Sequence, residues 1–235
     1  MATTTRVHGR HAAGGPARPG GAVGLARRVL DVVIGGLLLA VATPLLLAVG
    51  AVLLVTSGRP VLFRQSRVGE HGRPFVLYKF RTMRMVASGP EITAATDARI
   101  TRVGSFLRRT AIDELPQLWH VVRGQMTLVG PRPESAALAA RYPEQYRPVL
   151  LARPGLTGPA QLQYRERSAV PPDGRADLES WYLEVLVPLR VTADRDYLDH
   201  PTIRRTLYYL LVTALFVVGL ADLQQPVTAQ TASSA

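Results

Sequence analysis

The chain has 235 residues, enough for one ordinary domain or for one domain with membrane segments. Its formal net charge of +11 indicates an anionic partner: nucleic acid, an anionic membrane face or a nucleotide substrate. Aromatic residues make up only 6% of the sequence and no helix-turn-helix, zinc or base-stacking motif occurs, which disfavours nucleic acid. Cysteine is absent, so disulfides, thiolate metal sites and cysteine nucleophiles are excluded.

The composition of the N-terminal part of the chain indicates a disordered tail followed by a membrane segment. Residues 1–24 are rich in Gly, Ala, Pro, Arg and Thr and lack bulky apolar groups, so we expect them to be disordered. Residues 25–57 contain a nearly continuous apolar stretch, long enough to cross a bilayer. Pro44 interrupts this stretch near its middle, after Thr43, whose hydroxyl can satisfy a freed backbone carbonyl.

Arginines flank both ends of the membrane segment: Arg27 and Arg28 before it, and Arg59, Arg64 and Arg67 after it. Because positive charge favours the cytoplasmic face, both ends prefer the same side. We therefore predict a re-entrant helix that enters the membrane, breaks at Thr43 and Pro44, and returns. The alternatives are a spanning helix, straight or kinked, and a signal peptide, although the apolar stretch continues beyond the would-be cleavage site.

Residues 58–200 predict a small mixed α/β domain that is mostly helical, with a hairpin rather than a large sheet. Short strands are expected at 61–63 and 75–80, around the turn 70–74. Helices are expected near residues 99–107, 116–123, 134–141, 143–151 and 177–187. No glycine-rich nucleotide fingerprint or P-loop occurs, which disfavours a Rossmann-type glycosyltransferase domain.

The C-terminal part predicts an interfacial membrane-associated helix within residues 201–222. Its apolar run, 207–220, is short for a crossing. Arg204, Arg205, Tyr208 and Tyr209 suit the depth of the lipid headgroups. The alternatives are a core helix or a tilted second span. Residues 223–235 are expected to form a loose polar tail.

Two adjacent carboxylates, Asp113 and Glu114, precede a helix that we expect to begin at Pro116 and to stop at Gly124. Arg132 follows in a Gly-Pro-Arg-Pro turn, whose prolines restrict its backbone. The carboxylates can supply a nucleophile and a Mg²⁺ ligand, and a stiffly held arginine suits a phosphate. The alternative is that the carboxylates are only favourable charges at a helix N-terminus, within a capping pattern.

Further cations are candidates for binding an anionic substrate: Lys79, which is the only lysine, together with Arg81 and Arg108. For Lys79 and Arg81 a structural ion pair is the alternative. A lone histidine on the helix 116–123, His120, is interpreted as structural. The glycine-rich turn 153–158 either lets backbone amides approach a phosphate or is simply a tight turn.

Five of these motifs follow one another in order, at residues 63–69, 78–83, 107–118, 128–133 and 153–158. Together they resemble the monotopic phosphoglycosyl transferases, the bacterial sugar transferases that begin polysaccharide and glycoconjugate assembly. The resemblance covers roughly residues 27–165. It departs from the family's pattern at His120, where the family most often has asparagine.

The resemblance implies a covalent, ping-pong transfer of a sugar 1-phosphate. Asp113 would be the nucleophile, Glu114 a Mg²⁺ ligand or a base, and Arg108 and Arg132 phosphate contacts. The donor would be a UDP-sugar, the acceptor undecaprenyl or a similar polyprenyl phosphate, and the released nucleotide UMP. The expected place is the bacterial inner membrane, with the catalytic domain facing the cytoplasm and a homodimer as one option. The alternatives are a membrane-surface glycosyltransferase that releases UDP and a non-enzymatic membrane-binding module.

Overall fold

The computed structural model describes residues 21–85, 97–164, 178–217 and 219. Helix α1, Gly21–Ser57, begins four residues before the predicted end of the N-terminal tail, so residues 21–24 belong to the helix. The rest of that tail and the predicted C-terminal tail, 223–235, lie outside the described residues. The predicted mixed, mostly helical fold with a long apolar N-terminal helix is confirmed.

Helix α1 is 37 residues long and has Pro44 inside it. Its helical structure is continuous at Thr43 and Pro44, where the sequence analysis expected a break; the re-entrant path stays a prediction. The Thr43 hydroxyl donates to the Leu39 carbonyl at 2.7 Å. Since Pro44 has no N–H, the carbonyl that loses its helical donor is that of Ala40. Thr43 therefore bonds the neighbouring carbonyl, not the freed one.

One side of α1 packs on the rest of the protein along most of its length. The side chains before Pro44 that join the central hydrophobic cluster are Leu30, Ile34, Leu39 and Ala42. In its second half, Leu53 is buried against Phe80 and Leu107. Both ends of α1 thus contact the same folded domain.

The hairpin predicted after α1 is confirmed. Strand β1, Leu62–Val68, pairs antiparallel with β2, Pro74–Phe80, in a register that places Leu62 opposite Phe80. The strands are joined through a short 3₁₀ turn, Glu70–Gly72, in which His71 has a φ of 58°. β1 extends five residues beyond its predicted end, because its polar residues pair with β2 while facing water.

Two helices and a 3₁₀ segment between them carry the predicted catalytic motif. Helix α2, Arg102–Thr110, begins after Thr101, whose hydroxyl accepts the Gly104 N–H at 2.9 Å. This cap explains why the helix begins three residues later than predicted. The 3₁₀ segment Ile112–Gln117 leads directly into helix α3, Leu118–Arg123. Gly124 ends α3 with a φ of 82°, as its predicted stop requires.

A second, parallel pair of strands was not predicted. It consists of β3, Thr127–Val129, and β4, Gly155–Thr157, and its strands are too short to leave a sequence pattern. Here Gly155 lies against Gly130, and an added Cβ on Gly155 would be 2.1 Å from the Gly130 nitrogen. Helix α4, Ala136–Ala140, a 3₁₀ helix, Glu144–Leu151, and helix α5, Pro159–Gln163, complete this part.

The C-terminal helices contribute to a second hydrophobic cluster and include a last helix with exposed apolar side chains. Helix α6, Leu178–Trp181, continues through a π-helical turn, Tyr182–Leu186, into α7, Val187–Asp199. The sequence pattern predicted that this helix ends near residue 187. Pro188 lies directly after the π-helical turn, where the helical hydrogen-bond pattern changes.

Helix α8, Ile203–Val217, corresponds to the predicted interfacial helix. Thr206 and Val212 are buried, whereas Leu207, Tyr208 and Leu211 are exposed, which excludes a core helix. Its 15 residues give a length of about 22 Å, less than the roughly 30 Å of a bilayer's hydrocarbon core. The described part of α8 is thus short for a second span, and its interfacial position stays a prediction.

Candidate active site

The carboxylate pair lies in the 3₁₀ segment between α2 and α3. Ala111, with a φ of 57°, turns the chain there, and Asp113 and Glu114 occupy the first turn that follows. The Thr110 hydroxyl donates to the carbonyls of Phe106 and Leu107, so Thr110 closes α2 and does not cap the next segment. The interpretation of these carboxylates as part of a capping pattern is therefore wrong.

The structure brings the carboxylate pair and the Gly-Pro-Arg-Pro turn together. A guanidinium nitrogen of Arg132 is 3.4 Å from Oε1 of Glu114. Both side chains are about a quarter exposed, whereas Asp113 is only 5% exposed. The site thus combines a buried carboxylate with a neighbouring carboxylate and a cation that solvent can reach.

The β3–β4 pair holds the turn that carries Arg132. The Gly130 N–H donates to the Thr157 carbonyl at 2.9 Å, and the Gly155 N–H donates to the Pro131 carbonyl at 2.7 Å. These bonds lie on either side of the position from which Arg132 projects. Its position relative to Glu114 is therefore set by backbone hydrogen bonds as well as by the two prolines.

Lys79 and Arg108 lie on the elements next to the carboxylate pair. Lys79 is on β2, with its ammonium 5.2 Å from the ring centre of Phe63, its cross-strand neighbour. Arg108 is in the last turn of α2 and half-buried. Its charge contributes, after that of Arg99, to lowering the pKa of Asp97. Substrate contacts by Lys79 and Arg108 stay predictions.

Arg81 has a structural position that corrects its predicted role. Its buried guanidinium donates to the carbonyls of Ser57, Gly58 and Arg59, at 2.8 Å for Gly58 and 3.2 Å for Arg59. These carbonyls lie at the C-terminal end of α1 and just beyond it, where a cation also favours the helix dipole. The geometry supports neither a substrate contact nor the alternative carboxylate partner; Arg81 holds the end of α1 to β2.

Asp113 and Glu114 are the candidate Mg²⁺ ligands. Across residues 21–85, 97–164, 178–217 and 219, no group of three or more His, Asp or Glu side chains is arranged to hold a metal ion. Two adjacent carboxylates still fit Mg²⁺, which typically takes one or two protein carboxylates, substrate phosphates and water. The hard oxygen donors of this pair suit that ion.

A buried polar network behind Arg132 was missed by sequence reasoning. Glu134, directly after the Gly-Pro-Arg-Pro turn, accepts hydrogen bonds from the hydroxyls of Tyr142, at 2.9 Å, and Tyr182. The Tyr182 hydroxyl also accepts from Arg190 at 3.0 Å. These four residues and Arg132 line one cavity. Of these residues, only Glu134 could have been suspected from the sequence, because it directly follows the Gly-Pro-Arg-Pro motif.

Asp194 lines the same cavity and is fully buried. Burial raises its pKa to about 7, and the Ala160 N–H, which donates to Asp194 at 3.1 Å, and the charge of Arg190 oppose this rise only in part. The residue was missed because it lies in α7, beyond the predicted end of the preceding helix.

The bacterial sugar transferase family model matches residues 23–219 of this chain, which include all of these site residues. The chain belongs to the bacterial sugar transferase family. Its recognition as a phosphoglycosyl transferase, and hence as an enzyme, is confirmed.

Named relatives support this membership. A UDP-glucose:undecaprenyl-phosphate glucose-1-phosphate transferase of Caulobacter vibrioides is 44% identical over 207 residues, 83% of this chain and 73% of the relative. A protein of the same name from Escherichia coli is 40% identical over 147 residues, 59% of this chain. An undecaprenyl-phosphate galactose phosphotransferase of Salmonella typhimurium is 36% identical over 175 residues, 67% of this chain. The matches span only 31% and 36% of the Escherichia and Salmonella proteins.

Proposed function

We propose that this transferase moves a sugar 1-phosphate from a UDP-sugar to undecaprenyl or a similar polyprenyl phosphate and releases UMP. The observation that carries the proposal is the buried Asp113 beside Glu114, with the Glu114 carboxylate 3.4 Å from Arg132. The names of the relatives support the donor and acceptor classes. The sugar itself is not specified by these residues, since they address only the phosphates.

In the first step, an Asp113 carboxylate oxygen attacks the phosphorus that bears the sugar. The new bond joins Asp113 to the sugar phosphate, and the bond to the UMP oxygen breaks, so UMP leaves with the electron pair. In the second step, a phosphate oxygen of the lipid attacks the same phosphorus and the Asp113 carboxylate is released. Arg132 and Arg108 lower the energy of the charge on the phosphate oxygens.

Asp113 and Glu114 would hold Mg²⁺ in this mechanism. When bound, the ion neutralises charge on the pyrophosphate of the donor. Glu114 and Arg132 form an ion pair, so a metal ion held by Glu114 and the guanidinium of Arg132 would be close enough to act on the same phosphate group of the donor. Glu114 is thus assigned to binding rather than to proton removal.

The packing of α1 supports a monotopic position in the membrane. A straight helix of 37 residues would be about 55 Å long, yet both halves of α1 pack on one domain. A simple crossing would place that domain inside the bilayer. Apolar side chains are also exposed on α1, on α8 and at Phe106 and Trp119. We propose that this surface enters one leaflet of the inner membrane, with the active site at the cytoplasmic headgroups, where soluble donor and lipid acceptor meet.

The test is nucleotide release from a panel of UDP-sugars by the purified protein in nanodiscs with Mg²⁺ and polyprenyl phosphate. We expect UMP from at least one sugar, and none with Asp113→Asn. Asp196→Asn is the matched control, because it changes the same group at an exposed position on α7. Release of UDP would support the glycosyltransferase alternative. Activity that survives in Asp113→Asn would contradict the covalent mechanism.

A further inference from the structure

His120 is a buried histidine with both ring nitrogens engaged. Its side chain is 1% exposed. Nε2 lies 3.1 Å from the backbone nitrogen of Tyr78, and Nδ1 lies 2.8 Å from Oε1 of Gln125. Because a backbone N–H can only donate, Nε2 must be the unprotonated nitrogen. The ring proton is therefore on Nδ1, where it is donated to the Gln125 amide oxygen.

The ring connects two elements that carry proposed active-site residues. On one side, Tyr78 precedes Lys79 on β2, and the Tyr78 ring stacks on His120 with centres 5.1 Å apart. On the other side, His120 belongs to α3, which continues directly from the 3₁₀ segment that contains Asp113. A second β2 ring, that of Phe75, meets His120 edge-on at 5.5 Å.

We propose that His120 is a positioning residue: as a neutral imidazole it fixes the strand of Lys79 against the helical segment of Asp113, and Gln125 holds the ring in the tautomer that leaves Nε2 free to accept. The inference rests on the function proposed above for those two residues. An asparagine at this position would offer an acceptor that cannot become charged. Histidine in this chain supplies the same acceptor but adds a group that can become charged.

On balance the surroundings of the ring favour the neutral form, although the Gln125 amide oxygen, which accepts the Nδ1 proton, opposes the lowering of the His120 pKa. The neighbours from β2 are the rings of Phe75 and Tyr78, and the partner in the following turn is the uncharged Gln125. Arg123, on the same helix, opposes a second positive charge, and burial lowers the pKa of His120 further. Protonation of Nε2 would place an N–H against the Tyr78 N–H and break this contact.

From α1, the charged group that approaches this part of α3 is Arg28. Its guanidinium donates to the carbonyls of Val121 and Val122, both at 2.7 Å. The hydrogen bonds and ring contacts of His120 thus involve Phe75, Tyr78 and Gln125, none of which is a carboxylate. A carboxylate at position 125 would reverse this balance and favour the imidazolium.

The decisive variant is Gln125→Glu, studied in the full-length protein in nanodiscs. Nitrogen-detected NMR of the imidazoles, assigned by difference from His120→Asn, reports the protonation state without any substrate. We expect wild-type His120 to stay neutral, protonated on Nδ1, to a lower pH than an ordinary histidine, because burial lowers its pKa, and to titrate at a higher pH in Gln125→Glu. Nucleotide release should then lose about tenfold in kcat/KM below that pH, the effect of one broken buried hydrogen bond.

The double variant His120→Asn with Gln125→Glu should lack this new ionisation in its pH profile. His120→Asn should keep more activity than His120→Leu, which leaves the Tyr78 N–H without an acceptor. A pH profile of Gln125→Glu equal to that of wild type, or a new ionisation that persists in the double variant, would overturn the proposal. A failure of the proposed function can be told apart from a failure of this inference. It would appear as the wrong nucleotide product from the wild-type protein, whereas the NMR titration of His120 needs no substrate.

Discussion

Asp31 offers a direct test of how helix α1 is attached to the rest of the protein. It is 3% exposed on α1, and its carboxylate accepts the Leu128 N–H at 2.8 Å and the Thr127 hydroxyl at 2.8 and 3.0 Å. Both partners are on β3, which leads into the turn of Arg132. Asp31 thus connects the anchor with the strand that positions the phosphate-binding arginine.

The cost of removing this carboxylate follows from its two donors. Asp31→Ala leaves a buried N–H and a buried hydroxyl unsatisfied, and each costs about 1–3 kcal/mol, so we expect a loss of about 4 kcal/mol. Asp31→Asn keeps an oxygen for the Leu128 N–H and an amide that can donate to Thr127, so its loss should be about 1–2 kcal/mol. At about 2–4 °C per kcal/mol, Asp31→Ala should melt roughly 8–16 °C below wild type.

The assay is thermal unfolding in nanodiscs, monitored by circular dichroism and by nucleotide release after heating. Asp196→Ala is the control, because its exposed ion pair with Arg205 is worth at most about 1 kcal/mol. A double-mutant cycle between Asp31→Asn and Thr127→Val should show a non-additive term, since the two side chains bond directly. If Asp31→Ala melts no lower than Asp196→Ala, the proposed attachment of α1 to β3 is wrong.

Three further changes follow from the same structure. The raised pKa of Asp194 means that the folded state binds a proton that the unfolded state loses near pH 3.8, so stability should fall as pH rises from about 4 to about 7. Asp194→Asn should remove that slope in denaturant titrations across this range, and an unchanged slope would contradict the assignment. Gly155→Ala should destabilise the fold by about 3 kcal/mol or more, because its Cβ would meet the Gly130 backbone. Gly36→Ala on α1 is the control, because an added Cβ there meets open space. Equal melting temperatures of the two variants would contradict this prediction. Arg132→Lys should raise the KM for the UDP-sugar about tenfold, since one ammonium cannot reproduce a guanidinium's paired donors, and an unchanged KM would argue against a phosphate contact.

Elements whose local chemistry decides their structure were predictable. The hairpin has a turn with Gly72 between apolar residues at 61–63 and 75–80, and α3 ends at Gly124 as its left-handed conformation requires. The meeting of Glu114 with Arg132 followed from recognised motifs, although their 18-residue separation gave no distance. Motif order was therefore the strongest guide to the candidate site.

Features that depend on tertiary contacts were not predictable. The parallel β3–β4 pair forms because Gly130 and Gly155 allow two backbones to approach, which no local pattern shows. Arg81 was grouped with substrate-binding cations because sequence does not reveal that carbonyls at the end of α1 lie within its reach. Asp194 became visible only when α7 placed it behind Arg132, in the same cavity.

The central claim is a covalent phosphosugar on Asp113, and mass spectrometry of the protein, intact and after digestion, tests it most directly. The protein would be mixed with Mg²⁺ and its preferred UDP-sugar without any polyprenyl phosphate, quenched in acid and digested. The account predicts one added sugar phosphate per chain, mapped to Asp113, with an equal amount of UMP, and its loss when the lipid phosphate is supplied. UMP that forms only when the lipid is present, with no adduct on Asp113 under any condition, would mean direct transfer and would contradict the account.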